Sequence, residues 1–274
     1  MLTVSKIDIM RSPWLWEVAP FRIADNLYYV GDKDVSCHLV DTGEGLLLLD
    51  TGYTQAIHML LDSIRTMGFD PADIKWILHS HGHLDHFGGT RILVEKYGCK
   101  TYFPAVDLPL LNERADLNWH EEFGQNYEPP YDTWFEPDVL VHPGDVLQFG
   151  NTKVEFFDAG GHTPGTLAIR FNLPGGLKAA MHGGVGVNTL SFAYSQKKNL
   201  GSTWRDAFIR NVRNLYGLEV DIVLGNHPKQ TGTFVKMERM GGEDNPFIDP
   251  GEWDRLMASC EKKYNRLQET DPII

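Results

Sequence analysis

Apolar and polar positions along this chain fall into short runs whose period switches between two and about 3.6. The segments Phe21–Val30, Val35–Thr42 and Gly45–Gly52 read as three successive strands punctuated by Gly and Asp. Leu46–Leu49 is apolar without interruption, the mark of a strand covered on both faces. The period then lengthens. Ile57, Leu60, Leu61 and Ile64 recur at helical spacing within Gln55–Thr66, and Gly68 sits where a helix stop is expected. Ile74–Leu78 reads as a further buried strand, Thr90–Tyr97 as a helix and Thr101–Phe103 as a short strand.

Asp107–Pro137 is long, polar and aromatic, and such a stretch inside a compact fold is expected to form a lid or a substrate wall. The second half repeats the pattern. Thr152–Phe157, Thr166–Asn172, Lys178–Met181 and Ile222–Leu224 read as strands, and Thr203–Tyr216 and Trp253–Gln268 as helices. Two mixed β-sheets packed face to face with helices outside, an α/β sandwich of four layers (αββα), fit this order. No linker divides the chain, so a single domain spanning residues 1–274 is expected, with two similar halves at about 21–150 and 151–274.

Composition narrows the functional classes. The formal net charge of −12 repels phosphate backbones, which sets nucleic acid aside as a partner. No apolar run approaches the ~20 residues of a membrane span, and no membrane association is expected. The first residues carry no apolar signal-peptide core. Cys37, Cys99 and Cys260 are odd in number and widely spaced, which gives no disulfide framework. A cytoplasmic protein acting on a small molecule is the expectation.

The eleven histidines change the picture, because four of them lie between His79 and His86. The string His79-Ser80-His81-Gly82-His83-Leu84-Asp85-His86 follows a buried strand and precedes Gly88-Gly89 and a helix. His81 and His83 are two apart and point the same way in extended backbone, whereas the adjacent Asp85 and His86 diverge. One string can therefore offer donors to two metals. Imidazole and carboxylate suit zinc, and also iron, manganese or nickel. His162 in Gly160–Gly165 and His227 in Gly225–Pro228 each follow a strand and complete six candidate ligands.

The pattern His81-x-His83-x-Asp85-His86, then His162, then His227, resembles the metallo-β-lactamase superfamily, and within it the third subclass of zinc β-lactamases. The features that carry the subclass are His86, the segment Gly183–Asn188 and the stretch Asn245–Pro250 before the last helix. The resemblance implies the αββα metallo-β-lactamase fold and two zinc ions. His81, His83 and His162 would hold the first, and Asp85, His86 and His227 the second. Asp50 would be a supporting residue that is not itself a ligand. Two metals can share and acidify one hydroxide, with Asp85 and His227 as the catalytic residues nearest to it. The implied activity is hydrolysis of a small carbonyl substrate, a β-lactam-like cyclic amide first. The alternatives are a lactone, ester or thioester hydrolase, or an inactive metal-binding scaffold. A redox iron protein of the flavodiiron type is disfavoured, because that type carries Glu at the position of His83.

The chain departs from the pattern at Gly183-Gly184. Most superfamily hydrolases carry a bridging Asp there, and the subclass usually has Ser at Gly184. The lost side chain is expected to leave a space that water or His182 fills, and to make lactam turnover poor. Cys260 has no local partner for the C-terminal disulfide common in the subclass. His79 is expected to be structural. Trp119, Tyr127, Tyr131, Trp134 and Phe135 are lid candidates, and Ser191, Tyr194 and Lys229 are candidate contacts for a substrate carboxylate.

Overall fold

The computed structural model describes residues 11–119 and 133–271. Among these residues twelve strands form two sheets. The first holds, in spatial and chain order, β1 (Phe21–Ala24), β2 (Leu27–Tyr29), β3 (His38–Asp41), β4 (Leu46–Leu49), β5 (Ile74–Leu78), β6 (Lys100–Pro104) and β7 (Val139–Val141). The second runs β12 (Ile222–Gly225), β11 (Lys178–His182), β10 (Leu167–Asn172), β9 (Thr152–Asp158), β8 (Val146–Phe149). Both sheets are mixed, with β4 to β7 parallel to one another and β11 parallel to β12.

Side-chain alternation explains the layers. Leu47 and Leu49 face the interior between the sheets, where they meet Phe156, Ile169, Met181 and Leu224. Leu46 and Leu48 face the other way, onto Leu60, Leu61 and Ile64 of α1 (Ile57–Thr66) and Leu93 of α3 (Thr90–Tyr97). The uninterrupted Leu run is thus buried on both faces, as the sequence predicts. Ala168, Ala180 and Val223 turn outward from the second sheet and pack on α5 (Thr203–Asn214) and α7 (Glu252–Thr270) through Phe208, Val212, Trp253 and Met257. The result is the expected helix–sheet–sheet–helix sandwich. No helix among the described residues is long and apolar enough to cross a membrane.

Some elements differ from the sequence reading. Phe21–Val30 is a hairpin, because the polar pair Asp25-Asn26 turns the chain and pairs Ala24 with Leu27. β7 and β8 escape a pattern-based reading because each is only three or four residues long and partly exposed. Two short helices, α4 (Phe192–Lys198) and α6 (Thr233–Glu238), were also illegible at that length. Of the long stretch Asp107–Pro137, Ala105–Leu111 and Ala115–Leu117 form 3-10 turns; Tyr127 and Tyr131 lie outside the described residues.

Candidate metal centre

The loops that leave the strand ends carry the polar residues of interest, and the backbone draws them together. Leu167 N donates to Ser80 O at 3.0 Å, which ties the second sheet to the histidine string of the first. His83 is extended, and Asp85 and His86 lie on one helical turn, α2 (Leu84–Phe87). His162 comes from the loop after β9, and His227 from the loop after β12.

The six residues form two groups of three. The donor atoms of His81, His83 and His162 all lie within 4.8 Å of one another, as do those of Asp85, His86 and His227. His81 Nε2 is 3.0 Å from His83 Nδ1. Asp85 Oδ2 stands 3.8 Å from His86 Nε2 and 3.7 Å from His227 Nε2. The groups adjoin, with ring centroids of His81 and His86 4.3 Å apart. All but His227 are buried, and its side chain is 24% exposed, so the site opens on that side.

Four of the five imidazole rings are also held from behind. His81 Nδ1 donates to Ser80 Oγ at 3.0 Å, His86 Nδ1 to Asp50 Oδ2 at 2.8 Å, His162 Nδ1 to Gly186 O at 3.0 Å and His227 Nδ1 to Asp34 O at 2.5 Å. These contacts select the tautomer that points Nε2 inward, the arrangement that orients metal-binding histidines. Burial pushes His162 down to about 4, and burial together with the surrounding imidazoles holds His81 well below the usual imidazole range. Neutral imidazoles are the form that binds metal. Five imidazoles and a carboxylate in two sets of three, with the outer nitrogens of four rings committed, fit a metal site of the kind that suits zinc.

Asp50 organises this shell. It is fully buried with φ of 59°, a left-handed conformation costly for a residue with a Cβ. In that pose Oδ1 accepts from Ser80 N and Oδ2 from Ser80 Oγ, each at 2.7 Å. Asp107 was missed by sequence reasoning. It is fully buried and accepts from Gly82 N at 2.8 Å, Thr163 Oγ1 at 2.6 Å and Gly165 N at 2.6 Å. It therefore joins the loop of His81 and His83 to the loop of His162. The loop Gly31–Val35 was also missed. Asp32 Oδ1 accepts from Asp34 N and Val35 N, and this Asx-type turn presents Asp34 O to His227. An Asp opening a Gly-flanked turn was the available signal.

A cavity of about 140 Å³ opens onto both groups, lined by His83, Asp85, Trp119, His162, Gly186, Asn188, His227 and Gln230. Trp119 is the lid candidate placed here; its Nε1 lies 3.0 Å from His83 Nε2 and its ring stacks on Tyr194. Trp134 and Phe135 line a different cavity. Ser191 and Lys229 do not line the metal-facing one; Ser191 accepts from Tyr194 N as a helix cap. His79 is structural, bonded to Tyr102 O and Thr90 Oγ1.

The expected space at Gly184 does not exist. A Cβ on Gly184 would lie 2.6 Å from His162 Cδ2, and one on Gly186 would lie 3.1 Å from His162 Cε1. The ring of His162 itself occupies the volume that water or His182 was expected to fill. His182 stands outside the cavity lining and accepts from Gly184 N at 3.2 Å.

Comparison with known proteins gives a consistent picture. The family model of the metallo-beta-lactamase superfamily matches residues 30–177. A subclass B3 metallo-beta-lactamase of Bradyrhizobium japonicum superposes with a TM-score of 0.82 at 28% identity, covering 94% of this chain and 97% of that one. A metallo-beta-lactamase from Legionella gormanii superposes at 0.80 with 25% identity, covering 92% and 97%. An N-acyl homoserine lactonase from a Bacillus species is 24% identical over 162 residues, which is 49% of this chain and 56% of the lactonase. An uncharacterised Aquifex aeolicus protein is 27% identical over 143 residues, 51% of this chain and 61% of that protein. The chain thus aligns with little more than half the length of these two relatives.

Proposed function

This chain belongs to the metallo-beta-lactamase superfamily of hydrolases, and from that premise we propose that it is a binuclear zinc hydrolase of small cyclic amides of the β-lactam type. The observation that carries the reading is the division of six buried or half-buried donors into two adjoining groups on one cavity. His81, His83 and His162 would hold one ion, and Asp85, His86 and His227 the other. Zinc bound there supplies Lewis acidity toward the carbonyl and lowers the pKa of water.

The remaining work falls to the chain. Water's oxygen bonds to the carbonyl carbon, the ring C–N bond breaks, and a proton passes to the departing nitrogen. Asp85 lines the cavity and holds a hydrogen bond from the attacking water. His227, the most exposed of the six, lies on the open side of the site, from which it would meet the leaving group. Trp119 covers one side and limits bulk water. No serine or cysteine lines the cavity to act as nucleophile among the described residues.

A second reading, hydrolysis of a lactone, is supported by the partial match to an N-acyl homoserine lactonase. It needs the same donors, with the C–O bond breaking in place of C–N. The test is to measure bound metal in the purified protein, then assay the chelated and zinc-restored forms on a chromogenic cephalosporin and on lactones. Activity should vanish on chelation and return with zinc, and Asp85→Ala should abolish it. Full activity in Asp85→Ala would sink the proposal.

A further inference from the structure

Beside His162, Gly184 and Gly186 carry no side chain, and the reason is steric. The His162 ring packs so closely against them that a Cβ would meet ring atoms at 2.6 Å from Gly184 and at 3.1 Å from Gly186. His162 Nδ1 is held there by Gly186 O at 3.0 Å. A side chain at either glycine would have to displace that ring.

Among the described residues, the rest of the lining offers no Lys or Arg side chain. Apart from the imidazoles it consists of Asp85, Trp119, Asn188 and Gln230, and only Asp85 carries a fixed charge. Lys229, next in sequence to Gln230, is exposed and absent from the lining. Lys198 is engaged with Asp116, and Arg114 pairs with the same carboxylate. Metal charge attracts any anion without fixing where it sits; orientation comes from side chains, as a bidentate Arg or a Lys would supply it.

Resting on the hydrolase reading above, we infer that this site recognises its substrate without an anionic handle: it takes a cyclic ester or amide that is neutral beside the scissile bond. The amides of Asn188 and Gln230 can donate to and accept from neutral carbonyl or amide substituents. Trp119 offers an apolar face to the ring. A carboxylate next to the ring gains no directed partner and contributes nothing to transition-state binding.

The test uses the zinc-loaded full chain and two matched pairs: nitrocefin with its methyl ester, and γ-valerolactone with a γ-lactone bearing a ring carboxylate. Within each pair turned over, the neutral member should match or exceed the acid in kcat/KM, and KM for the acid should not rise with salt. Gln230→Lys should shift the acid-to-ester ratio about tenfold toward the acid, the effect of one well-placed cation. Lys229→Ala should leave the ratio unchanged. If the nitrocefin pair is inert and the neutral lactone is turned over ahead of its acid, the lactam reading fails while this inference stands. An acid preferred by more than about tenfold overturns the inference with the hydrolase reading intact. No turnover of any of the four overturns both.

Discussion

Asp50 Oδ2 lies 2.8 Å from His86 Nδ1, and the same carboxylate holds Ser80, whose hydroxyl in turn accepts from His81 Nδ1. One buried, left-handed residue thereby sets the ring orientation of a histidine in each donor group. Asp50→Asn keeps the volume but weakens the acceptor, and the loss of such an outer partner typically costs about 10- to 100-fold in metal affinity. We expect weakened binding of both ions in titrations against a chromogenic chelator, with Asp50→Ala worse than Asp50→Asn. Wild-type affinity in both variants would show that Asp50 is only a packing residue.

The six donors, the outer hydrogen-bonding partners of the histidines and the fold all point to a ligand that stabilises the folded state. Zinc at a free concentration 100 times its Kd adds about 2.7 kcal/mol. Chelation should therefore lower the thermal midpoint by several degrees, and zinc should restore it, as followed by differential scanning fluorimetry. A midpoint indifferent to chelator would contradict the ligand assignment even if activity were lost for another reason.

Gly184→Ser is the substitution that the subclass pattern invites. The structure makes it unfavourable, since the new Cβ would stand 2.6 Å from the ring of His162. Overpacking of this kind costs about 1–3 kcal/mol, here taken from the pose of a metal-facing histidine. We expect at least a tenfold loss of kcat/KM and weaker binding of one ion, where the sequence alone had suggested a gain. A rise in lactam turnover would mean that the loop yields without disturbing His162.

Asp107 gives a pH prediction. Burial lifts its carboxyl to about 6 against three donated hydrogen bonds that pull it down. Its folded value lies above the ordinary carboxylate value near 3.9. Its contribution to stability is therefore greatest below pH 4 and is lost as pH rises through about 6. Asp107→Asn lacks that titration. In urea unfolding of the metal-free proteins, the stability of wild type relative to Asp107→Asn should fall by on the order of 2 kcal/mol between pH 4 and pH 6. A constant difference across that range would show that the group is not titrating there.

Much of this protein was determined by local sequence. The Leu46–Leu49 run, the helix at Thr90–Tyr97 and the alternation within β9 and β10 each encode a face to bury, and burial is a property that a few adjacent residues express together. The six candidate donors were legible for a related reason: His81, His83, Asp85 and His86 crowd one turn, and His162 and His227 sit beside glycines at strand ends. What the tertiary structure alone decided is the filling of space between distant segments. Asp107 meets Gly82, Thr163 and Gly165 only after the two sheets close, and Asp34 meets His227 across most of the chain. Gly184 looked like a missing side chain in sequence, and in space its bare backbone leaves room for His162. Periodicity carries information along the chain; which atoms exclude one another across the sandwich depends on packing density, and that exists only once the chain has folded.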